Sequence, residues 1–255
     1  MEQVGVVLTQ GPMDWQIVQQ DEHGHGRLEI GGRWAIDVPG RVEVRLVRED
    51  TSAPVSASLD WQGAETRDDG TWSATLESIP AGGLYRLETR VSAVDAPAYE
   101  WSCRGDMRHF LGVGDLWVIA GQSNSAGYGR DAVEDPPELG VHVFRNSGKW
   151  SVAAHPLNES TDTAHPVNRE GANPGHSPYL AFAKAVRRET GVPIGLVQTA
   201  LGGSPLSQWN PTEPGDSVLF DNMIHCVGLV GGGVRGILWY QGESDGGPGI
   251  ADTYR

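Results

Sequence analysis

Two rhythms of hydrophobic and polar positions divide the chain. Up to about residue 110 the apolar positions alternate with polar ones. Val42, Val44 and Leu46 share one face with Glu43 and Arg45 on the other, and Tyr85, Leu87, Thr89 and Val91 oppose Arg86, Glu88 and Arg90. Turn clusters at Asp68-Asp69-Gly70 and Pro80-Ala81-Gly82-Gly83 separate these runs, and no helical period intervenes. This pattern predicts a small antiparallel β-sandwich over residues 1–109. From Leu111 onward strands alternate with helices. Residues 116–120 form an unbroken apolar run, as a buried parallel strand does, and this run and the strands read at 194–200 and 236–240 each end in small or polar residues. Tyr179, Phe182, Ala183 and Val186 lie at i, i+3, i+4 and i+7, which predicts a helix with Ser177 as N-cap and Pro178 at its first position. Gly191 ends it and Pro193 prevents resumption. Leu219, Met223, Cys226, Val227 and Val230 mark the apolar face of a second helix, with His225 off that face at the surface. The expected class is α/β, with a parallel sheet in residues 110–255.

Between the first two of these strands lies an irregular stretch, about 146–175, rich in Pro, Asn, Asp and His. A connection that long is usually functional or disordered. Its histidines His155 and His165, each followed by proline, read as exposed loop residues.

Charge narrows the partners. The 255 residues hold 33 acidic and 19 basic side chains, a net charge of −14, which disfavours a nucleic-acid or anionic-membrane surface. No run of about 18 apolar residues suggests a membrane helix. Residues 1–10 lack a basic segment followed by an apolar one, so no secretory leader is expected and the default location is cytoplasmic, or secreted or periplasmic if a leader precedes this start. Cys103 and Cys226 are far apart and match no zinc spacing, so both read as buried or free thiols. His23 and His25, between glycines, read as a solvated turn rather than a metal pair.

The chemistry gathers at the strand ends. The first run delivers Gly121-Gln122-Ser123-Asn124, the second Gly202-Gly203-Ser204, and the third Gln241-Gly242-Glu243-Ser244-Asp245. Ligand crevices of open α/β sheets lie at these ends, which makes Ser123 a candidate nucleophile beside the plainer reading of a turn. The paired glycines let backbone N–H groups approach a ligand, or simply make a tight turn. Acyl transfer needs a nucleophilic hydroxyl, donors for the developing oxyanion, and a base oriented by an acid. Ser123 supplies the first, the Ser123 and Gly203 backbone with the Gln241 amide the second, and Glu243 the orienting acid. The base is missing from this set. Neither glycine turn is followed by the Lys-Ser/Thr of a phosphate-binding loop.

Gly-Gln-Ser-Asn at 121–124, Gln-Thr-Ala-Leu-Gly-Gly-Ser-Pro-Leu-Ser-Gln-Trp at 198–209 and Trp-Tyr-Gln-Gly-Glu-Ser at 239–244 resemble the three motif blocks of the sialate O-acetylesterase and acetylxylan esterase group within the SGNH hydrolase superfamily. That resemblance implies an SGNH-type α/β/α domain over 110–255 preceded by an accessory sandwich over 1–109. It implies Ser123 as nucleophile, Ser123 and Gly203 N–H groups with Gln241 as oxyanion hole, and Glu243 as the acid that positions the catalytic histidine. Gln122, Asn124, Gly202 and Trp209 would contact the substrate. The substrate would be an O-acetylated glycan of the sialic acid or xylan type, and no cofactor or metal is implied. Two departures stand out. Ser125 replaces a frequent methionine, and no Asp-x-x-His motif appears before Arg255, where residues 251–255 read as the opening of a helix. The chain is therefore expected to be an N-terminal piece or truncated product, incomplete in its α/β domain, nearly inactive on acetyl esters and poorly soluble. The alternative is a non-catalytic carbohydrate-binding protein, with which nine tryptophans are compatible. A lipase or thioesterase of the same superfamily is disfavoured by the Gln-Gly-Glu block. Oligomeric state is left open.

Overall fold

The computed structural model describes residues 5–94, 102–131, 133–159, 163–171, 174–212, 217–247 and 249, so the helix expected at 251–255 lies outside the described residues. The strands in chain order are β1 (Gly5–Gln10), β2 (Ile17–Gln19), β3 (His25–Ala35), β4 (Gly40–Arg48), β5 (Gln62–Gly63), β6 (Glu65–Thr66), β7 (Thr71–Pro80), β8 (Gly82–Ala93), β9 (Ser102–Gly121), β10 (Val141–Phe144), β11 (Trp150–Val152), β12 (Ile194–Gln198) and β13 (Gly236–Tyr240). The α-helices are α1 (Ser123–Ala126), α2 (Tyr179–Thr190) and α3 (Val218–Leu229). Two compact units result, one of residues 1–16 and 20–113 and the other of residues 17–19 and 114–255. β9 passes from the first into the second.

The first unit is all antiparallel. One sheet runs β1-β3-β7-β6, and β4 pairs with β5 and with β8, which pairs in turn with the first part of β9. The alternation read from the sequence places Val42, Val44, Leu46, Leu87 and Val91 in the core, all at 1% exposure or less. Its polar face is more buried than alternation implies. Register sets Glu43 opposite Arg90 and Arg45 opposite Glu88. The Arg90 Nε donates to Glu43 at 2.7 Å, Ser92 Oγ donates to the same carboxylate at 2.7 Å, and Arg45 and Arg86 both reach Glu88. Trp61 lies under the Arg45 and Arg90 guanidinium groups, 4.5 and 4.0 Å from its ring centre. Glu43 and Glu88 are thereby only 5% and 7% exposed. Burial alone would raise both carboxyls. The hydrogen bonds from Ser92 and Arg90 to Glu43, and from Arg45 and Arg86 to Glu88, outweigh it and hold both below the ordinary glutamate range.

The second unit holds a parallel sheet in the order β10-β12-β9-β13, extended by β11 antiparallel to β10. β9, first in sequence, is inside the sheet; the chain goes to one side for β10 and β12 and then crosses through α3 to β13 on the other. This reversal makes the carboxyl end of β9 a topological switch point, where open α/β sheets bind ligands. Leu116, Val118, Ile119 and Ala120 are fully buried, as the apolar run predicts. β10 and β11 were not legible in the sequence. β10 reads Val-His-Val-Phe, and His142 within it is fully buried, a polar residue that breaks the apolar-run signal. Trp150–Val152 lies inside the stretch expected to be irregular.

α2 begins one residue later than expected. Pro178 is its N-cap, its carbonyl accepting from Phe182 N at 3.0 Å, and Ser177 makes no capping bond. Gly191 ends the helix in the left-handed region, as predicted. Tyr179, Leu180 and Ala183 of α2 pack with Ile119, Val141, Val143, Ile194 and Leu196 into one apolar cluster. Among the described residues β13 lies at the sheet edge, and Ile237, Trp239 and Tyr240 are exposed.

The carboxylates held low in the first unit stabilise the fold fully above the ordinary glutamate range, and that contribution is lost as the pH falls through their lowered values. Glu43→Gln is therefore expected to melt lower at neutral pH, by about 1–3 kcal/mol for a broken charged hydrogen-bond set, and to lose less further stability than the parent between about pH 5 and 2. Thermal melts of both proteins across that range check this, and parallel curves would contradict it.

Candidate active site

The site begins where β9 stops. Gly121 has φ 118°, and a Cβ there would run into the Tyr240 carbonyl. Only glycine lets β9 and β13 meet this closely. Ser123 opens the short α1 turn; its side chain is half-buried, and among the described residues no hydrogen bond engages its hydroxyl. Gly203, φ 73°, sits in the turn after β12, and Glu243 in the one after β13, at the surface.

These three turns are tied to one another by side chains and backbone. Gln122, 4% exposed, accepts from Gly242 N at 3.3 Å and Ser244 N at 3.1 Å through its Oε1. Asn124 Nδ2 donates to Glu243 Oε1 at 2.5 Å. Ser244 Oγ donates to the Gly203 carbonyl at 3.1 Å, and Leu201 N donates to the Gly121 carbonyl at 3.0 Å. The structure thus brings together Ser123, Gly203, Gln241, Glu243, Gln122, Asn124 and Gly202 at one end of the sheet. Gln241 is committed elsewhere than expected. Its amide donates to the Ser204 carbonyl at 3.1 Å and to Asp245, so serving as an oxyanion donor requires giving one of these up. Trp209 is 6% exposed, its indole N–H bonded to Ser204 Oγ at 3.0 Å and its ring edge-on to Trp239. Ser125 is fully buried and bridges Tyr179 OH at 2.9 Å and the Tyr240 carbonyl at 3.2 Å, facing the core.

Sequence reasoning missed the polar layer beneath the glycine turn. Glu170, 5% exposed, accepts from Gly202 N at 2.8 Å, from Tyr128 OH at 2.6 Å and from Asn158 Nδ2 at 3.3 Å. Asn158 also donates to the Ala200 carbonyl at 3.1 Å and bonds Asn146, which is linked to Asn168 at 3.0 Å. Burial, followed by donation to Glu170, pushes the Tyr128 hydroxyl up to about 12. The density of Asn and Asp in the 146–175 stretch was the available signal, since three fully buried asparagines must find partners.

The loop histidines are not exposed as expected. The His155 ring is 9% exposed, with Nε2 3.2 Å from Asp135, whose other oxygen pairs with Lys184. It packs edge-on against His176 at 4.7 Å between centres, and burial holds its proton affinity below the ordinary histidine range. His165 is half-buried against His225, which is itself exposed, as read. Among the described residues no histidine bonds Ser123, and no three potential ligands gather for a metal.

A family model described as carbohydrate esterase, sialic acid-specific acetylesterase, matches residues 113–255. The "Probable carbohydrate esterase" of Arabidopsis thaliana is 35% identical over 51% of this chain and 54% of its own length. The sialate O-acetylesterase of Pongo abelii is 22% identical over 83% of this chain and 45% of its own. Among solved structures, a carbohydrate acetylesterase from Xanthomonas citri is similar with a TM-score of 0.49 and 20% identity, covering 96% of this chain and 54% of that one. The chain spans about half the length of the curated relatives it matches. Because the family match takes in more than half of the chain and all three cross-bonded turns, the chain belongs to the sialic acid-specific acetylesterase family of carbohydrate esterases.

Proposed function

We propose that this chain carries the nucleophile-bearing part of a carbohydrate O-acetylesterase, an SGNH-type α/β/α domain following an accessory β-sandwich, that deacetylates glycans through an acyl-enzyme on Ser123. The observation that carries this reading is a half-buried serine hydroxyl that bonds to none of the described residues, at the sheet's switch point, in a turn locked to the glycine turn after β12. Ser123 Oγ attacks the acetyl carbonyl carbon, its proton passing to a general base. The carbonyl oxygen becomes an oxyanion, for which the Ser123 and Gly203 N–H groups are the proposed donors. The C–O bond to the sugar breaks, the glycan hydroxyl leaves with the proton, and water then releases acetate from Ser123.

In this reading the commitments of Gln241 and Gln122 make them positioning residues that hold the turns in register. Glu170 belongs with them, because its carboxylate takes the Gly202 N–H and fixes the orientation of the next peptide. No histidine among the described residues is bonded to Ser123, so the base is proposed to come from outside that set, with the Asn124–Glu243 pair next to where it would enter. The same fact favours a second reading, a protein that binds glycans without cleaving them.

Assay of the 255-residue chain, and of the gene product extended past Arg255, on p-nitrophenyl acetate and acetylated xylan separates the two. The extended protein is expected to deacetylate, and Ser123→Ala to lose on the order of a thousandfold or more in kcat while glycan affinity is kept. The shorter chain is expected to show little turnover. Strong turnover by it, abolished by His155→Ala, would overturn the proposal of an outside base. Turnover by neither would favour the binding protein.

Glu170→Gln keeps the shape but weakens the acceptor. It is expected to lower kcat about tenfold or more with KM little changed, as removal of a transition-state interaction does, and Glu170→Ala to destabilise by roughly 1–3 kcal/mol because Gly202 N–H and Tyr128 OH lose their partner. An unchanged kcat in a stable Glu170→Gln protein would remove its positioning role.

A further inference from the structure

The first unit carries a feature that the esterase reading leaves unused. Trp34 stands near the end of β3, its backbone N–H donating to the Gly70 carbonyl at 2.9 Å. Two adjoining clefts of about 460 and 450 Å³ share Trp34, Ala35, Asp68 and Gly70 in their walls. The charged side chains Asp37 and Arg67 also line the first, and Arg33 and Asp69 the second. Such volumes fall in the range of small-molecule sites.

Trp34 differs from Trp72 and Trp61 of the same unit. Trp72 is 1% exposed and fills the core, and Trp61 is covered by Arg45 and Arg90. Trp34 is half-buried and lines both clefts. The rim is of mixed sign, two arginines and three aspartates, so it suits neither a strongly anionic nor a strongly cationic ligand. Part of it is held rigidly: Asp69 accepts from Thr71 N at 3.0 Å and Thr71 Oγ1 at 2.6 Å, and Arg67 Nη2 donates to Ser73 Oγ at 3.2 Å. An indole face with carboxylate acceptors and guanidinium donors around it matches a pyranose, whose C–H face is apolar and whose rim is hydroxyls. Two joined clefts suit two successive residues of a chain better than one free sugar.

We propose that Trp34 is the platform of a glycan-binding subsite in the first unit, which holds two consecutive neutral pyranose residues of a polysaccharide by stacking on the indole and by hydrogen bonds to Asp37, Arg67 and Asp68. The choice of a glycan rests on the proposed esterase reading; the site itself does not involve Ser123.

The test uses the 255-residue chain titrated with xylohexaose and with a linear mannan hexasaccharide. Calorimetry measures affinity, and the indole N–H resonances in a ¹H–¹⁵N spectrum locate the contact. Expected are a shift of the Trp34 indole signal on saturation, a loss of at least about tenfold in affinity in Trp34→Ala, a smaller loss in Asp68→Asn, and unchanged affinity in Ser123→Ala. Should Trp34→Ala fold poorly, the wild-type indole shift and Asp68→Asn decide the question. No binding of either oligosaccharide, binding that leaves the Trp34 signal in place, or a preference for sialyllactose that salt abolishes would each overturn the proposal. Binding at Trp34 by a chain whose extended form shows no Ser123-dependent turnover would support the subsite and defeat the esterase reading. Turnover without binding at Trp34 would do the reverse.

Discussion

The second unit depends on the close meeting of β9 and β13 at Gly121. A side chain there would occupy the Tyr240 carbonyl, and the Gly121 carbonyl itself receives the Leu201 N–H from the neighbouring turn. One residue without a Cβ thus lets three strand ends come within hydrogen-bonding reach of each other. Gln122, Asn124, Ser244 and Gln241 then complete the connections with side chains. The Ser123 hydroxyl is the group that this set leaves unengaged. Its accessibility is a property of the whole arrangement rather than of the serine.

Beneath the glycine turn, four polar side chains of the connection between β11 and α2 and the end of β10 are buried together and bond to one another. Asn146, Asn158, Asn168 and Glu170 are all at least 95% buried and bond to backbone at Ala200, Gln198 and Gly202. A buried network of this kind rigidifies only when every member is paired. It therefore couples the conformation of the loop to the orientation of the Gly202 and Gly203 peptides, which is the physical basis for giving a remote carboxylate a part in the chemistry.

The first unit resolves a similar problem on a sheet surface. Two β4 and β8 residues that alternation assigns to solvent, Glu43 and Glu88, are mostly covered because opposite charges face each other across the strand pair and Trp61 lies under Arg45 and Arg90. Cross-strand pairing of opposite charges stabilises a ladder modestly; here burial makes each pairing obligatory, since an unpaired carboxylate would be costly.

Local pattern in the sequence determined what local physics controls. Period-2 alternation over 41–47 and 85–91, the unbroken apolar run of β9, the stop at Gly191 and the small residues at each strand end follow from backbone sterics and from one face or both being dry. They were enough to bring Ser123, Gly203 and Glu243 to the same end of one sheet. Tertiary structure alone decided which partner each polar side chain takes. Nothing near Gln241 in sequence tells that its amide turns to Ser204, or near His155 that Asp135 and His176 enclose it, or near His142 that β10 is buried on both faces. The side-chain contacts of Gln241 and His155 join residues 20 to 37 positions apart, and a polar group out of water takes whichever donor or acceptor the packed chain brings within about 3 Å.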